Sequence, residues 1–148
     1  MTAKKFCIFH GLVPAFSHDC EELKTVMTHE PFSLTEYAEF THETALYPGS
    51  DLTAKGGSFD GRNYVALGLA GEAGEVANDV KKIFRDDGKE LSPERKKRIL
   101  GELGDVFWYW TRSCMEFGFT PEFVAKINME KLRNRKAAGT LQGSGSDR

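Results

Sequence analysis

Nowhere does the chain contain the roughly 18 consecutive apolar residues that a membrane-spanning helix needs. That argues against an integral membrane protein. A surplus of either charge is missing as well. Charged residues make up 28% of the 148, and the net charge is -2, so neither a nucleic-acid polymer nor a membrane surface is an expected partner. Cysteine is scarce and unpaired in pattern. Cys7, Cys20 and Cys114 form an odd, scattered set that suits reduced thiols in a cytoplasm better than a disulfide framework. Histidine is confined to the first part of the chain, at His10, His18, His29 and His42. Beyond residue 31 no segment alternates as a strand does. The opening MTAKKFCIFHGLVPAF has two lysines and a short apolar patch, but Phe9-His10-Gly11 interrupts it, and it is not taken as a signal peptide.

The remaining pattern is helical. Residues 1–31 lack a clear period and are treated as an N-terminal extension. Ser33 and Glu36 make an S-x-x-E capping box, with Phe32 and Tyr37 spaced as a hydrophobic staple. They open a helix expected to run to Tyr47, before Pro48-Gly49. A glycine-containing loop, 49–62, follows. The next helix is expected from Asn63 to Arg85, with a seam of Leu69, Ala73, Val76, Val80 and Ile83. Asp86-Asp87-Gly88 ends it. Ser92 and Pro93 open a third helix whose seam is Ile99, Leu103, Val106, Trp110 and Phe117. Thr120-Pro121-Glu122 opens a fourth, carrying Phe123, Val124, Ile127 and Leu132. The Gly/Ser-rich stretch 139–148 reads as a flexible tail. The expected architecture is an all-α, four-helix-bundle-type domain over 32–138. Apolar residues on more than one helix face suggest an oligomer.

Two short segments carry the chemistry: GEAGEV at Gly71–Val76 and GELGDV at Gly101–Val106. With each seam as zero, Glu72 and Glu102 fall about 60° to one side, and Glu75 and Asp105 about 120° to the same side. Glu75 is ten residues before Arg85, and Glu102 nine after Pro93. An antiparallel hairpin therefore brings both acidic pairs within about one turn, ~5 Å, of the same level. Four carboxylates so placed push one another's pKa upward unless a counter-charge is present. A hard divalent cation such as magnesium or manganese is the simplest one. The Glu-x-x-His of a di-iron bundle and the His/Cys set of a zinc site are both missing here.

A glycine precedes each acid, at Gly71, Gly74, Gly101 and Gly104. Each costs a helix about 1 kcal/mol relative to alanine. The expectation is that bulk is excluded by close helix approach or by a ligand. Lys82 and Arg85 lie further along the acidic edge, and Asn128, Lys131 and Arg135 form a stripe on the last helix. All five are candidates to cover phosphates. Glu94–Arg98 reads as a solvated first turn. Trp108 and Tyr109 point away from the seam, toward a second subunit or a stacked base. Cys7-x-x-His10 and His18-x-Cys20 are a weak zinc candidate.

At these residues the sequence resembles the MazG-like branch of the all-α nucleoside triphosphate pyrophosphohydrolases. E-x-x-E, a gap and E-x-x-D are matched by Glu72, Glu75, Glu102 and Asp105. The likeness extends over about Ser33–Arg148 and includes KKIFRDDG, Asn128-x-x-Lys131-x-x-x-Arg135 and the terminal Gly139-Thr140-Leu141-x-Gly143-Ser144-Gly145. It implies hydrolysis of a (deoxy)nucleoside triphosphate to the monophosphate and pyrophosphate, with two or three Mg²⁺ or Mn²⁺ ions on those four acids. It also implies a homodimer or homotetramer, and a role in cleansing or remodelling a nucleotide pool. Guanine, dCTP and dUTP preferences all fit. The competing reading is a non-catalytic helical module that binds a nucleotide or divalent metal and regulates a partner.

Overall fold

The computed structural model describes residues 32–50 and 56–142. The candidate zinc ligands Cys7, His10, His18 and Cys20, and most of the glycine-rich tail, lie outside them. Every regular element among the described residues is a helix: α1 (Leu34–Thr44), α2 (Phe59–Arg85), α3 (Pro93–Glu116) and α4 (Pro121–Ala137). The class is all-α, as the sequence pattern implies.

The starts follow their caps. The side chains of Ser33, Ser58, Ser92 and Thr120 accept hydrogen bonds from the backbone N–H groups of Glu36, Gly61, Arg95 and Phe123 respectively. Proline sits in the first turn of α3 and of α4. Phe32 and Tyr37 form the staple, with ring centroids 5.9 Å apart. Two expected boundaries move. α1 stops at Thr44 rather than Tyr47, because Ala45 and Tyr47 leave the helix to enter the core. α2 starts at Phe59 rather than Asn63. Its cap is Ser58, and Gly56, Gly57 and Gly61 disguise the first turn as loop.

The hairpin of α2 and α3 is the backbone of the molecule. α1 packs on α3 and α4, and α4 packs on α1 and α3. The seams inferred for α2 and α3 are only partly covered. Leu69, Val76 and Ile83 are half-buried, whereas Val80, Leu103 and Phe117 are exposed. The contact face is rotated toward the acidic edge, so that Gly61, Val65 and Asp79 are the buried residues of α2.

Charge also lies at the bottom of the molecule. Arg112 and Glu116 are fully buried one turn apart, with Arg112 Nη2 3.3 Å from Glu116 Oε1. Tyr47 donates its hydroxyl to Glu116, and Arg112 Nε donates to the same hydroxyl at 3.1 Å. Burial, then the carboxylate, hold the Tyr47 phenol well above its ordinary value. The backbone of Glu116 accepts from Gly57 N–H at 2.7 Å and Arg62 Nε at 3.0 Å. This cluster ties the segment between α1 and α2 to the end of α3. Cys114 lies beside it as a buried free thiol, pushed up to about 11 by burial.

Trp108 and Tyr109 pack within their own chain. Trp108 Nε1 donates to Thr44 Oγ1 at 2.7 Å, and its ring meets Tyr47 edge-on. Tyr109 covers Gly68, where any Cβ would strike its ring. A Cβ at Gly71, Gly74, Gly101 or Gly104, by contrast, meets nothing within 4 Å. Close approach among the described helices is therefore not what these four glycines serve. The contrast is measurable by thermal unfolding. Gly68→Ala should destabilise by about 1–3 kcal/mol, the usual cost of overpacking. Gly71→Ala and Gly101→Ala should raise the stability of the metal-free protein by up to about 1 kcal/mol each.

Candidate metal centre

α2 and α3 run antiparallel, and their register decides which side chains meet. Glu72 stands opposite Glu102 and Asp105. One carboxylate oxygen from each lies within 4.8 Å of the others. Glu72 and Glu102 are half-buried between the helices and Asp105 is exposed at their edge. Glu75 is not part of this trio. It sits one turn along α2, exposed, with its charge still acting on Glu72.

The electrostatics show that the carboxylates interact. Burial pushes the Glu72 carboxyl above its ordinary value of 4.5. The charge of Asp105 adds to this, then that of Glu102, then a hydrogen bond shared with Glu102, then Glu75. Tyr37 from α1 borders the same space. Burial raises its phenol, and Asp105 raises it further. Its ring stacks on Phe107 at a centroid distance of 4.8 Å. Tyr109 borders the space from α3, raised by burial and a hydrogen bond with Tyr64, with smaller contributions from Glu72 and Asp105. Neither tyrosine carries a sequence signal that separates it from an ordinary aromatic core residue.

One and two turns further along the hairpin, the sign of the charge changes. Asp79 is buried and receives Arg95 Nη1 at 2.7 Å, Lys82 Nζ at 3.4 Å and Arg98 Nε at 3.5 Å. Burial pushes its carboxyl up, but Arg95, Lys82 and Arg98 outweigh burial and hold it below the ordinary 3.8. Arg95 is buried too and also grips Asp87, at 2.8 and 3.2 Å. The run Glu94–Arg98 is thus not a uniformly solvated turn, because Arg95 is part of the interior. Of the candidate phosphate ligands, Lys82 leans on Asp79, and Arg85 is held by Asp86 through bonds of 2.6 and 2.7 Å. Asn128 and Lys131 are exposed and Arg135 is half-buried on α4. That helix makes no packing contact with α2. Asn128 borders an apolar groove of about 560 Å³ with Trp110, Val124, Leu132 and Leu141 among its walls.

Hard oxygen donors, mutual repulsion and open space beside four glycines suit a divalent cation of the magnesium type. Among the described residues, Glu72, Glu102 and Asp105 could hold it; Glu75 lies outside that group. The fold and this centre define an all-α protein with an acidic, metal-ready site in a helical hairpin.

Residues 62–139, which contain the whole hairpin, match the family described as MazG nucleotide pyrophosphohydrolase domain. The Gene 37 protein of Mycobacterium phage L5 is 42% identical over 106 residues, covering 72% of this chain and 90% of the phage protein. No solved structure matches significantly. The chain belongs to the MazG nucleotide pyrophosphohydrolase family.

A cation that binds only the folded chain stabilises it by mass action, about 2.7 kcal/mol at a hundredfold excess over Kd. Mn²⁺ or Mg²⁺ should accordingly raise Tm, and Glu72→Gln should abolish the rise. The pH dependence follows from the raised Glu72 carboxyl. A folded pKa above 4.5 means that its contribution to metal-free stability is present below 4.5 and is lost as pH rises through the folded value. The cation competes with that same proton. The Mn²⁺-induced rise in Tm should therefore grow across this window and level off above it, as differential scanning fluorimetry in a pH series would show.

Proposed function

We propose that this protein hydrolyses nucleoside triphosphates, deoxynucleotides foremost, to the monophosphate and pyrophosphate. The reading rests above all on the meeting of Glu72, Glu102 and Asp105 across the hairpin, in a chain of the MazG family. Two or three magnesium ions, or manganese in their place, supply charge neutralisation for the polyphosphate and make water a better nucleophile. Glu72, Glu102 and Asp105 hold the oxygen-ligand positions. Glu75, exposed one turn from Glu72, would in this reading accept a proton from the attacking water. Lys82 can leave its long 3.4 Å contact with Asp79 for a phosphate oxygen. Arg85 can do the same by releasing Asp86. The catalytic unit spans 32–138, and its role is to cleanse or remodel a nucleotide pool. The buried free thiol of Cys114 suits a cytoplasmic setting, and no described helix is long and apolar enough to cross a membrane.

The functional unit in this reading is a homodimer or homotetramer. Ala66, Ala70, Ala73, Ala77, Val80 and Phe84 follow one another on α2 at alternating four- and three-residue steps, and all are exposed. Leu100 and Leu103 of α3 are exposed at 58% and 50%. Seven-residue periodicity of this kind is what a helix shows to a partner helix. In this reading Asn128, Lys131 and Arg135 would serve the polyphosphate held by a neighbouring protomer.

The test is a panel of NTPs and dNTPs with Mg²⁺ or Mn²⁺, with monophosphate and pyrophosphate resolved by chromatography. Glu72→Gln and Asp105→Asn should each lower turnover about 100-fold or more while circular dichroism stays unchanged. Orthophosphate as the sole product, no turnover at all, or full activity in both variants would sink the proposal.

A further inference from the structure

The acidic trio depends on register. A slip of one residue between α2 and α3 turns each side chain by about 100° and separates Glu72 from Glu102. Toward the open end of the hairpin Val65 is fully buried and Tyr109 covers Gly68, but nearer the turn the apolar contacts are thin. Val76, Ile83 and Ile99 are only half-buried, and Val80, Leu100 and Leu103 are exposed. Directional contacts are concentrated elsewhere. Asp79 is seven residues after Glu72 on α2, and Arg95 is seven residues before Glu102 on α3. Seven residues are about two turns, so each lies on the same face as its acid, at the same depth below it. Asp79 and Arg95 meet at 2.7 Å, 6% and 8% exposed as side chains. Arg95 also fastens Asp87 in the connecting turn at 2.8 Å. One guanidinium thus joins the first helix, the turn and the second helix.

We propose that Asp79 and Arg95 are positioning residues: their buried ion pair pins the α2–α3 register that sets Glu72 against Glu102 and Asp105. An apolar pair of similar volume generally matches or exceeds a buried ion pair in stability. What it lacks is direction, because methyl groups tolerate sliding and a forked guanidinium does not. The three other cation–carboxylate contacts here, from Lys82 and Arg98 to Asp79 and from Arg95 to Asp87, converge on the same point. This inference rests on the reading of the trio as a cation site only for its consequence, not for the register itself.

The test is therefore double. Asp79→Leu/Arg95→Met removes the pair while keeping its bulk. In a background with Cys7, Cys20 and Cys114 replaced, nitroxides at Lys81→Cys and Lys97→Cys, in labelled chain diluted with unlabelled chain so that only intrachain pairs are read, report inter-helix distance by pulsed electron resonance, and Mn²⁺ titration reports affinity. We expect a single sharp distance in the parent and a broadened or split one in the double variant. We also expect Mn²⁺ affinity to fall at least tenfold at unchanged helix content. If the double variant does not fold, Asp79→Asn is compared with Val65→Ala, a core change chosen as a purely structural control. At equal loss of Tm, only Asp79→Asn should broaden the distance and weaken Mn²⁺. An unchanged distance in either Asp79 variant overturns the proposal, as does equal behaviour of Asp79→Asn and Val65→Ala. A parent chain that binds no Mn²⁺ refutes the cation reading instead, and the distances still decide the register.

Discussion

Carboxylates crowded into a gap between two helices repel one another, and most of what is distinctive in this protein answers that repulsion. Glu72 is the residue under greatest strain from it, since burial and three neighbouring acids all favour its protonated form. Nothing in the fold requires acids there. An ordinary hairpin would place leucine or valine at those positions and gain stability. Keeping Glu72, Glu102 and Asp105 together makes sense if a cation supplies the missing charge, and under the proposed function a phosphate-bearing substrate would share that cation. Site chemistry and fold energetics would then be opposed in the metal-free chain and aligned in the loaded one.

The opposition is offset by ionic contacts elsewhere. Asp79 with Arg95 lies on one side of the trio along the hairpin. Glu116 with Arg112 lies near the far end of α3. Both pairs are buried; Asp79 and Arg95 join α2 to α3, whereas Arg112 and Glu116 lie one turn apart on α3 and reach the segment between α1 and α2 through Tyr47 and Gly57. Along the hairpin the order is a cluster of paired charges around Asp79 and Arg95, the acidic trio, then the Tyr47–Arg112–Glu116 cluster. Such spacing lets the acids sit in a framework held by direction as well as by burial.

The helices were legible from caps and breaks. Ser33, Ser92-Pro93 and Thr120-Pro121 announce their helices because a hydroxyl that satisfies an orphan N–H is a local event. The hairpin and the meeting of Glu72 with Glu102 and Asp105 were also legible, since counting residues from a turn fixes level along antiparallel rods. What escaped notice were buried charges. Asp79, Arg95, Arg112 and Glu116 resemble surface residues in any pattern of polarity, and Arg95 sits inside ERKKR, which looks fully solvated. Burial of a charge is decided by a partner distant in sequence, as with Asp79 and Arg95 across the turn or Tyr47 and Glu116 across two elements. A single-helix period cannot report it. The same holds for Gly68, whose purpose is the Tyr109 ring on the other helix.

The four glycines beside the acids take their meaning from this two-sided hairpin. Placed on a helical wheel, the acids of both helices fall to one side of the contact line, while the alanine row, Leu100 and Leu103 fall to the other. Gly71, Gly74, Gly101 and Gly104 have open space where a side chain would stand. No atom of the described residues forbids a larger residue at any of them. What requires their smallness lies outside the described residues, and a ligand drawn to the acids or a helix drawn to the alanines would meet the requirement. Gly74 and Gly104, about 140° from their seams, stand nearer the alanine side, and Gly71 and Gly101 lie further round. The absent side chains therefore mark an outline that the described residues do not fill, and under the proposed function a polyphosphate with its cations on one edge and a second protomer on the other would fill it.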